Sequence, residues 1–101
     1  MPEGKMIEAL ILGYPGDEAW RVFALSFADR FDQYPQRHEL LAATSDRVPL
    51  AQAAAGVVGT NALAWFEMSV PALDAQRPRD IGQSHSQGEI VLRALLMRMP
   101  T

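Results

Sequence analysis

The sequence predicts an all-α fold, a small helical bundle of about five to six short helices. No segment of the 101 residues shows the sustained alternation of apolar and polar residues that is typical of a half-buried strand. One stretch instead carries large aromatic residues at helical spacing, and prolines and glycines divide the rest into pieces of helix length. A domain of this size buries roughly 60 to 65% of its unfolded surface, so we expect a modest stability to which a partner adds.

The first part of the chain contains one clear helix. Residues 3–12 suit a short helix or a strand equally, and both alternatives stay open. Tyr14-Pro15-Gly16 indicates a turn, and Asp17 is predicted to be the N-cap of the following helix. The aromatic residues of that helix share one face at positions i, i+3, i+7 and i+11, namely Trp20, Phe23, Phe27 and Phe31.

Prolines and glycines set the expected bounds of the middle helices. Pro35 ends the aromatic helix, because proline disfavours helical geometry in the residue before it. Further short helices are predicted over residues 38–44, 49–58 and 61–68. Between the last two, Gly59 is placed as a C-terminal cap and Thr60 as the next N-cap.

The C-terminal part is predicted to hold two helices. Pro78 opens a one-turn helix, and the final helix runs from Gln87 to about Met99. Ser86 and Glu89 match a capping box, in which each side chain satisfies a free backbone amide.

The final helix has apolar residues on nearly every side. Between residues 90 and 99 only Arg93 and Arg98 are polar. Such a helix must be buried on more than one side, so we expect part of its surface to meet another chain. The alternative is that the N-terminal helix with the aromatic face covers it within one chain.

Composition and charge disfavour several classes of function. The chain has no cysteine, which excludes disulfides and thiolate sites and fits a cytoplasmic protein. Residues 1–47 hold eight acidic and five basic residues, so nucleic-acid binding by this chain alone is disfavoured. The uncharged stretch 48–66 is interrupted by a proline and two glycines, which favours a helical hairpin over a membrane span. The polar N-terminus lacks the pattern of a signal peptide.

No residue pattern indicates an enzyme. His38 and His85 lie far apart in sequence, and neither has a histidine four residues away. Ser84 and Ser86 flank His85, but adjacency in sequence supplies no third group to orient the base. We therefore predict no catalytic residue, no metal and no cofactor.

The order of short motifs in residues 45–99 carries the functional information. Ser45-Asp46-Arg47 leads into an alanine-rich helix, and the positions that follow are Ala62, Trp65, Ala72, Leu73, Arg77, Pro78, Ile81, Gly88, Val91, Leu95 and Met99. This order resembles the C-terminal domain of the MbcA/ParS/Xre class of bacterial antitoxins. There, a helix ending in Ala-x-x-Trp precedes a loop of the type Ala-Leu-Gly-Gly-x-x-Pro, a short helix, a Thr/Ser-x-x-Gly cap and a terminal Val-x-x-x-Leu-x-x-Ile helix.

The resemblance implies a function in a type II toxin-antitoxin system. Members of this family bind RES-domain toxins, which consume NAD, and mask the toxin active site. By resemblance, residues 45–101 form an antitoxin-like toxin-binding domain, and residues 1–44 form an N-terminal helical segment of unknown role. The resemblance implies a cytoplasmic homo-oligomer whose protein partner is a RES-type toxin. The chain departs from the family pattern at Gly82, where a second leucine is usual.

Nine side chains are predicted to bind the partner. Desolvated aromatic residues dominate many interfaces, guanidinium groups pair with carboxylates, and the last helix has surplus apolar surface. These considerations select Trp65, Phe66, Leu73, Arg77, Arg79, Leu92, Arg93, Leu96 and Met99. The ordinary alternative is core packing for the apolar residues and a solvated surface for the arginines.

Two other functions remain open. One is a self-associating helical interaction module without a toxin, suggested by the two-sided terminal helix. The other is a DNA-binding autorepressor, because antitoxins of this type often repress their own operon. Residues 1–44 contain no basic recognition helix that would favour the second alternative.

Overall fold

Short helices form the whole framework of residues 5–99, the part of the chain that the computed structural model describes. They are α1 (Lys5–Leu12), α2 (Asp17–Leu25), α3 (Ala28–Asp32), α4 (Arg37–Ala43), α5 (Val48–Val57), α6 (Ala62–Trp65), α7 (Pro78–Ser84) and α8 (Gly88–Arg98). Single 3₁₀ turns lie at Gly59–Asn61 and Pro71–Leu73. Residues 5–99 contain no strand, only an isolated bridge between Val70 and Gln76. The predicted all-α class is confirmed, with more and shorter helices than expected.

Helix α5 lies at the centre of the core. Helices α2, α3, α4 and α8 all pack against it, and its small side chains allow these neighbours to approach closely. The Phe27 ring rests directly on Gly56, where a Cβ atom would lie 2.1 Å from the ring. That position therefore requires glycine. The radius of gyration, 12.6 Å, is that expected for a compact chain of about 100 residues.

The N-terminal alternatives are resolved in favour of a helix. Helix α1 begins at Lys5, and residues 3 and 4 of the predicted segment lie outside the described part of the chain. It packs mainly on α8 and on the 3₁₀ turn Pro71–Leu73. Its buried side chains are Ile7 and Leu10.

The predicted aromatic helix is interrupted, and in this respect the prediction is wrong. Helix α2 ends at Leu25 and α3 begins at Ala28. The Ser26 hydroxyl donates a hydrogen bond to the Phe23 carbonyl at 2.6 Å, an interaction that competes with the regular helical ladder. Trp20 and Phe31 are nevertheless both buried, as the shared face predicts.

The predicted N-caps are also wrong. Asp17 is the first residue of α2, and its carboxylate accepts a hydrogen bond from the Tyr14 hydroxyl at 2.8 Å instead of capping the helix. Thr60 lies within a 3₁₀ turn and caps no helix. The capping box does not form, because Gln87 is the N-cap of α8 and its amide donates to Nδ1 of His85 at 3.0 Å.

The proline and glycine signals were better guides. Pro49 lies in the first turn of α5 and Pro78 in that of α7. Helix α7 continues to Ser84, beyond the single turn that was expected. Gly59 follows α5 with a φ of 79°, the left-handed conformation of a C-terminal cap. No helix within residues 5–99 has the length and apolar character needed to cross a membrane.

Candidate partner-binding surface

The segment between α6 and α7 is a closed loop, Val70–Gln76, that bonds to itself. The Val70 amide donates to the Gln76 carbonyl, and the Ala75 amide donates to the Val70 carbonyl, both at 3.1 Å. Leu73 anchors the loop because its side chain is fully buried. The Arg79 amide donates to the Phe66 carbonyl at 3.1 Å, which joins the start of α7 to the end of α6. The loop therefore has a defined shape on the surface.

Two residues of the closed loop adopt a conformation that glycine favours. Asp74 and Ala75 have φ values of 55° and 65°. They directly follow Ala72-Leu73, where the antitoxin pattern has Gly-Gly. Side chains with a Cβ atom are disfavoured in this region, whereas glycine enters it freely. The backbone of this chain thus has the geometry that a glycine pair suits.

We expect Ala75→Gly to stabilise the protein. Removing the Cβ atom relieves the steric strain of a left-handed residue and should raise the free energy of unfolding by up to about 1 to 2 kcal/mol. The larger conformational entropy of glycine in the unfolded chain offsets part of this gain. Urea denaturation measures the change in the free energy of unfolding. The matched control is Ala72→Gly, at a position without positive φ, which we expect to destabilise. Equal destabilisation by both substitutions would contradict the assigned loop conformation.

Four charged residues border the closed loop, and we call them the arginine surface: Glu67, Arg77, Arg79 and Asp80. The two carboxylate oxygens of Glu67 bind different arginines, Nη1 of Arg77 at 3.4 Å and Nη1 of Arg79 at 2.7 Å. Arg77 also donates to both oxygens of Asp80, from Nε at 2.9 Å and from Nη2 at 3.1 Å. The cluster is neutral overall and holds its guanidinium groups in fixed positions at the surface.

The hydrogen bonds from Arg77 lower the pKa of Asp80. A carboxyl group with a lowered pKa stabilises the folded state above its unfolded pKa of about 3.9, and the effect is lost as the pH falls through the folded pKa. We expect Arg77→Gln to move the Asp80 titration midpoint to higher pH, as measured by carbon NMR of the carboxyl group. The control Arg37→Gln, on α4, should leave the midpoint unchanged. An unchanged midpoint in Arg77→Gln would refute the pairing.

A second network ties the start of α2 to α8. Nη1 of Arg93 donates to the Tyr14 hydroxyl at 2.9 Å and approaches Oδ1 of Asp17 at 3.3 Å, while its Nη2 pairs with Glu89. Glu89 also binds Nε of Arg47 at 3.0 Å. The Arg93 guanidinium lies 5.3 Å from the centre of the Trp20 ring. This network fixes the position of α8 relative to the N-terminal helices.

The nine predicted contact residues fall into two groups. Five apolar side chains are buried within this one chain: Trp65, Phe66, Leu73, Leu92 and Leu96. Of the others, Arg77 and Arg79 reach the surface but pair with Glu67, and Arg93 is largely enclosed in the second network. Met99 is partly buried at the end of α8. The closed loop brings Leu73 and Arg77 together with Phe66 and Arg79. Trp65 is the last residue of α6, Leu92, Arg93 and Leu96 lie on α8, and Met99 follows it.

An exposed apolar stripe on α2 was not predicted from the sequence. We call Ala19, Val22 and Leu25 the α2 stripe; the side chains of Val22 and Leu25 are 68% and 66% exposed. Beside it lies an open groove of about 710 Å³, lined by Pro15, Glu18, Ala19, Val22, Phe23 and Met97. The three-residue spacing of the stripe, on the side of α2 away from Trp20, is the signal that could have identified it. Comparison of the chain with models of protein families, with curated proteins and with solved structures finds no match.

Proposed function

We propose that this chain is an antitoxin-like protein that binds a RES-type toxin and occludes its active site. The observation that carries the proposal is the backbone of Asp74 and Ala75. Both residues are left-handed at the two positions where the resembling antitoxins have glycine. A second observation supports it. A Cβ atom on Gly88 would lie 2.0 Å from the Ile81 carbonyl oxygen, so a larger residue would clash at the position where the cap motif has glycine.

The arginine surface and the closed loop are the parts of this region that a toxin would contact. Arg77 and Arg79 pair with Glu67 at the surface, and Met68, the residue after Glu67, is 54% exposed. A toxin carboxylate would replace or share the Glu67 contacts, and guanidinium groups bind carboxylates with two parallel hydrogen bonds. The buried aromatic residues would act indirectly, by fixing the shape of the loop.

Co-expression with the toxin tests the proposal. We expect the chain to restore growth when it is produced together with a RES-type toxin encoded beside it, and to co-purify with that toxin. Arg77→Ala combined with Arg79→Ala should weaken the complex by about tenfold or more, because anchoring arginines often dominate interface energies. Arg21→Ala, on the exposed side of α2, is the matched control and should bind normally. A folded wild-type chain that neither restores growth nor co-purifies with the toxin would reject the proposal.

Self-association is a second candidate function, favoured by the α2 stripe. Contiguous exposed apolar side chains next to an open groove are typical of protein interaction sites. A symmetric pair of α2 stripes would cover Val22 and Leu25 in both copies. We expect a dimer in light scattering at micromolar concentration, and a monomer for Val22→Glu. A wild-type chain that is monomeric across this range would eliminate this candidate.

A further inference from the structure

Part of the apolar surface of α8 is covered by α1. The sequence predicted that part of this surface meets another chain, and in the structure α1 lies across α8 and the 3₁₀ turn Pro71–Leu73. We call the covered surface the α8 groove. One of the predicted partner-binding residues, Leu73, lies in the 3₁₀ turn against which α1 packs, and it is fully buried. The groove is thus a surface that binds one helix already.

Few interactions hold α1 in the groove. Within Met6–Leu12, only Ile7 and Leu10 are buried, each 3% exposed, whereas Leu12 is 87% exposed. From Met6 to Leu12, the side chains of α1 form no hydrogen bond or ion pair with another described side chain or backbone group of residues 6–99. The central helix α5, in contrast, buries six of its ten residues. A short element with few buried side chains opens locally more easily than the rest of a domain.

The connection after α1 is suited to such an opening. Gly13 and Gly16 flank the turn between α1 and α2, and Gly16 has a φ of 110°. Tyr14, between them, is bound by Arg93 and donates to Asp17. The bonds of Tyr14 therefore tie the turn to α2 and α8 just after the end of α1. As a result, α1 can leave the groove while α2 and α8 stay in place.

We infer that α1 is a displaceable cover, and that the partner inserts an amphipathic helix into the α8 groove in its place. We expect the inserted helix to have the apolar pattern of α1, which presents aliphatic residues at i, i+3 and i+4, namely Ile7, Leu10 and Ile11. The Arg98 guanidinium lies at the carbonyl end of α1, with Nη2 3.7 Å from the position of a Cβ on Gly13, and favours the negative end of a helix there. The inference rests on the proposed function, since the inserted helix is assigned to the toxin.

A labelled peptide tests the groove without the toxin. The probe is a fluorescein-labelled peptide with the sequence of residues 2–16, added to the full chain and followed by fluorescence anisotropy. Leu10→Asp should release α1 and bind the peptide at least about tenfold more tightly than the wild type, whose groove is occupied. Leu12→Asp adds the same charge to an exposed position of the same helix and should bind as weakly as the wild type.

Hydrogen exchange of the wild-type chain provides a second readout that needs no variant. Amides of α1 should exchange at least about tenfold faster than those of α5. Equal protection of α1 and α5 overturns the inference, as does a Leu10→Asp chain with native circular dichroism that binds no more peptide than Leu12→Asp does. If the peptide and hydrogen-exchange results are both as expected but the chain forms no toxin complex, only the proposed function is rejected. A toxin complex in which α1 amides remain as protected as in the free chain rejects only the displacement.

Discussion

Phe66→Ala should lower the free energy of unfolding by about 3 to 5 kcal/mol, the usual cost of removing a buried aromatic side chain. Phe66 is 1% exposed, and its ring packs edge-on against Trp65 with ring centres 5.2 Å apart. Its carbonyl also receives the Arg79 amide, so a collapse at this site would disturb the start of α7. Since small domains are stable by only about 5 to 15 kcal/mol, the variant is expected to be partly unfolded at 37 °C.

The measurement is urea denaturation followed by circular dichroism, with Met68→Ala as the matched control. Met68 lies two residues away and is exposed, so its truncation should change the unfolding free energy by less than about 0.5 kcal/mol. The pair separates two roles for this aromatic region. A Phe66→Ala chain with native stability but lost toxin binding would show that Phe66 is a partner anchor and contradict its place in the core.

Gly88→Ala should destabilise the protein by about 1 to 3 kcal/mol or more, because the new Cβ atom overlaps the backbone of α7. That atom would lie 2.0 Å from the Ile81 carbonyl oxygen and 3.0 Å from the Gly82 Cα atom. Backbone atoms cannot rotate away as a side chain can, so α8 must shift relative to α7. The expected result is a lower urea midpoint together with weaker toxin binding, since the arginine surface extends into the first turn of α7.

Gly82→Ala is the control for Gly88→Ala. Its Cβ atom would meet only Cδ1 of Leu92, at 3.2 Å, and a leucine tip can move by a few tenths of an ångström. Alanine also gains up to about 1 kcal/mol over glycine inside a helix. We expect Gly82→Ala to be nearly neutral. If both variants lose the same stability, the close approach of α8 to α7 at Gly88 is not the cause.

Helix class and the proline-set boundaries could be predicted from sequence, because they follow from local chemistry. Pro49 and Pro78 open helices through their fixed φ, and Gly59 ends α5 through its left-handed backbone. The interruption at Ser26 was less accessible, since the aromatic spacing continues across it. At the interruption the Ser26 hydroxyl bonds to the Phe23 carbonyl, and Phe27 leaves the helical conformation with a φ of −107°.

The predicted capping box failed for a tertiary reason. Glu89 has the correct spacing from Ser86, but its carboxylate binds Arg93 one turn further along α8 and Arg47, which precedes α5. Ion pairs with distant partners cannot be read from a local motif. The bridging role of Glu67 was missed for the same reason, because it depends on the loop that brings Arg77 back to the end of α6.

The contact residues were chosen from surplus apolar surface, and sequence cannot show which chain covers such a surface. Leu92 and Leu96 belong to a helix that is apolar on nearly all sides, as the sequence indicates. Within residues 5–99, α8 packs against α1, α2, α5 and α7, and the side chain of Leu92 lies near Gly82 of α7. Arg77 and Arg79 were predicted to bind the partner, with a solvated surface as the alternative. Their shared pairing with Glu67 required the fold, whereas Asp80 lies only three residues from Arg77.

The most direct measurement of toxin occlusion is NAD consumption by a purified RES-type toxin titrated with this chain. Stoichiometric masking predicts that the rate falls linearly with added chain and reaches zero at a fixed molar ratio. The variant with Arg77→Ala and Arg79→Ala should reach the same inhibition of NAD consumption only at a higher concentration. Undiminished NAD consumption in the presence of a large molar excess of the folded wild-type chain would contradict occlusion.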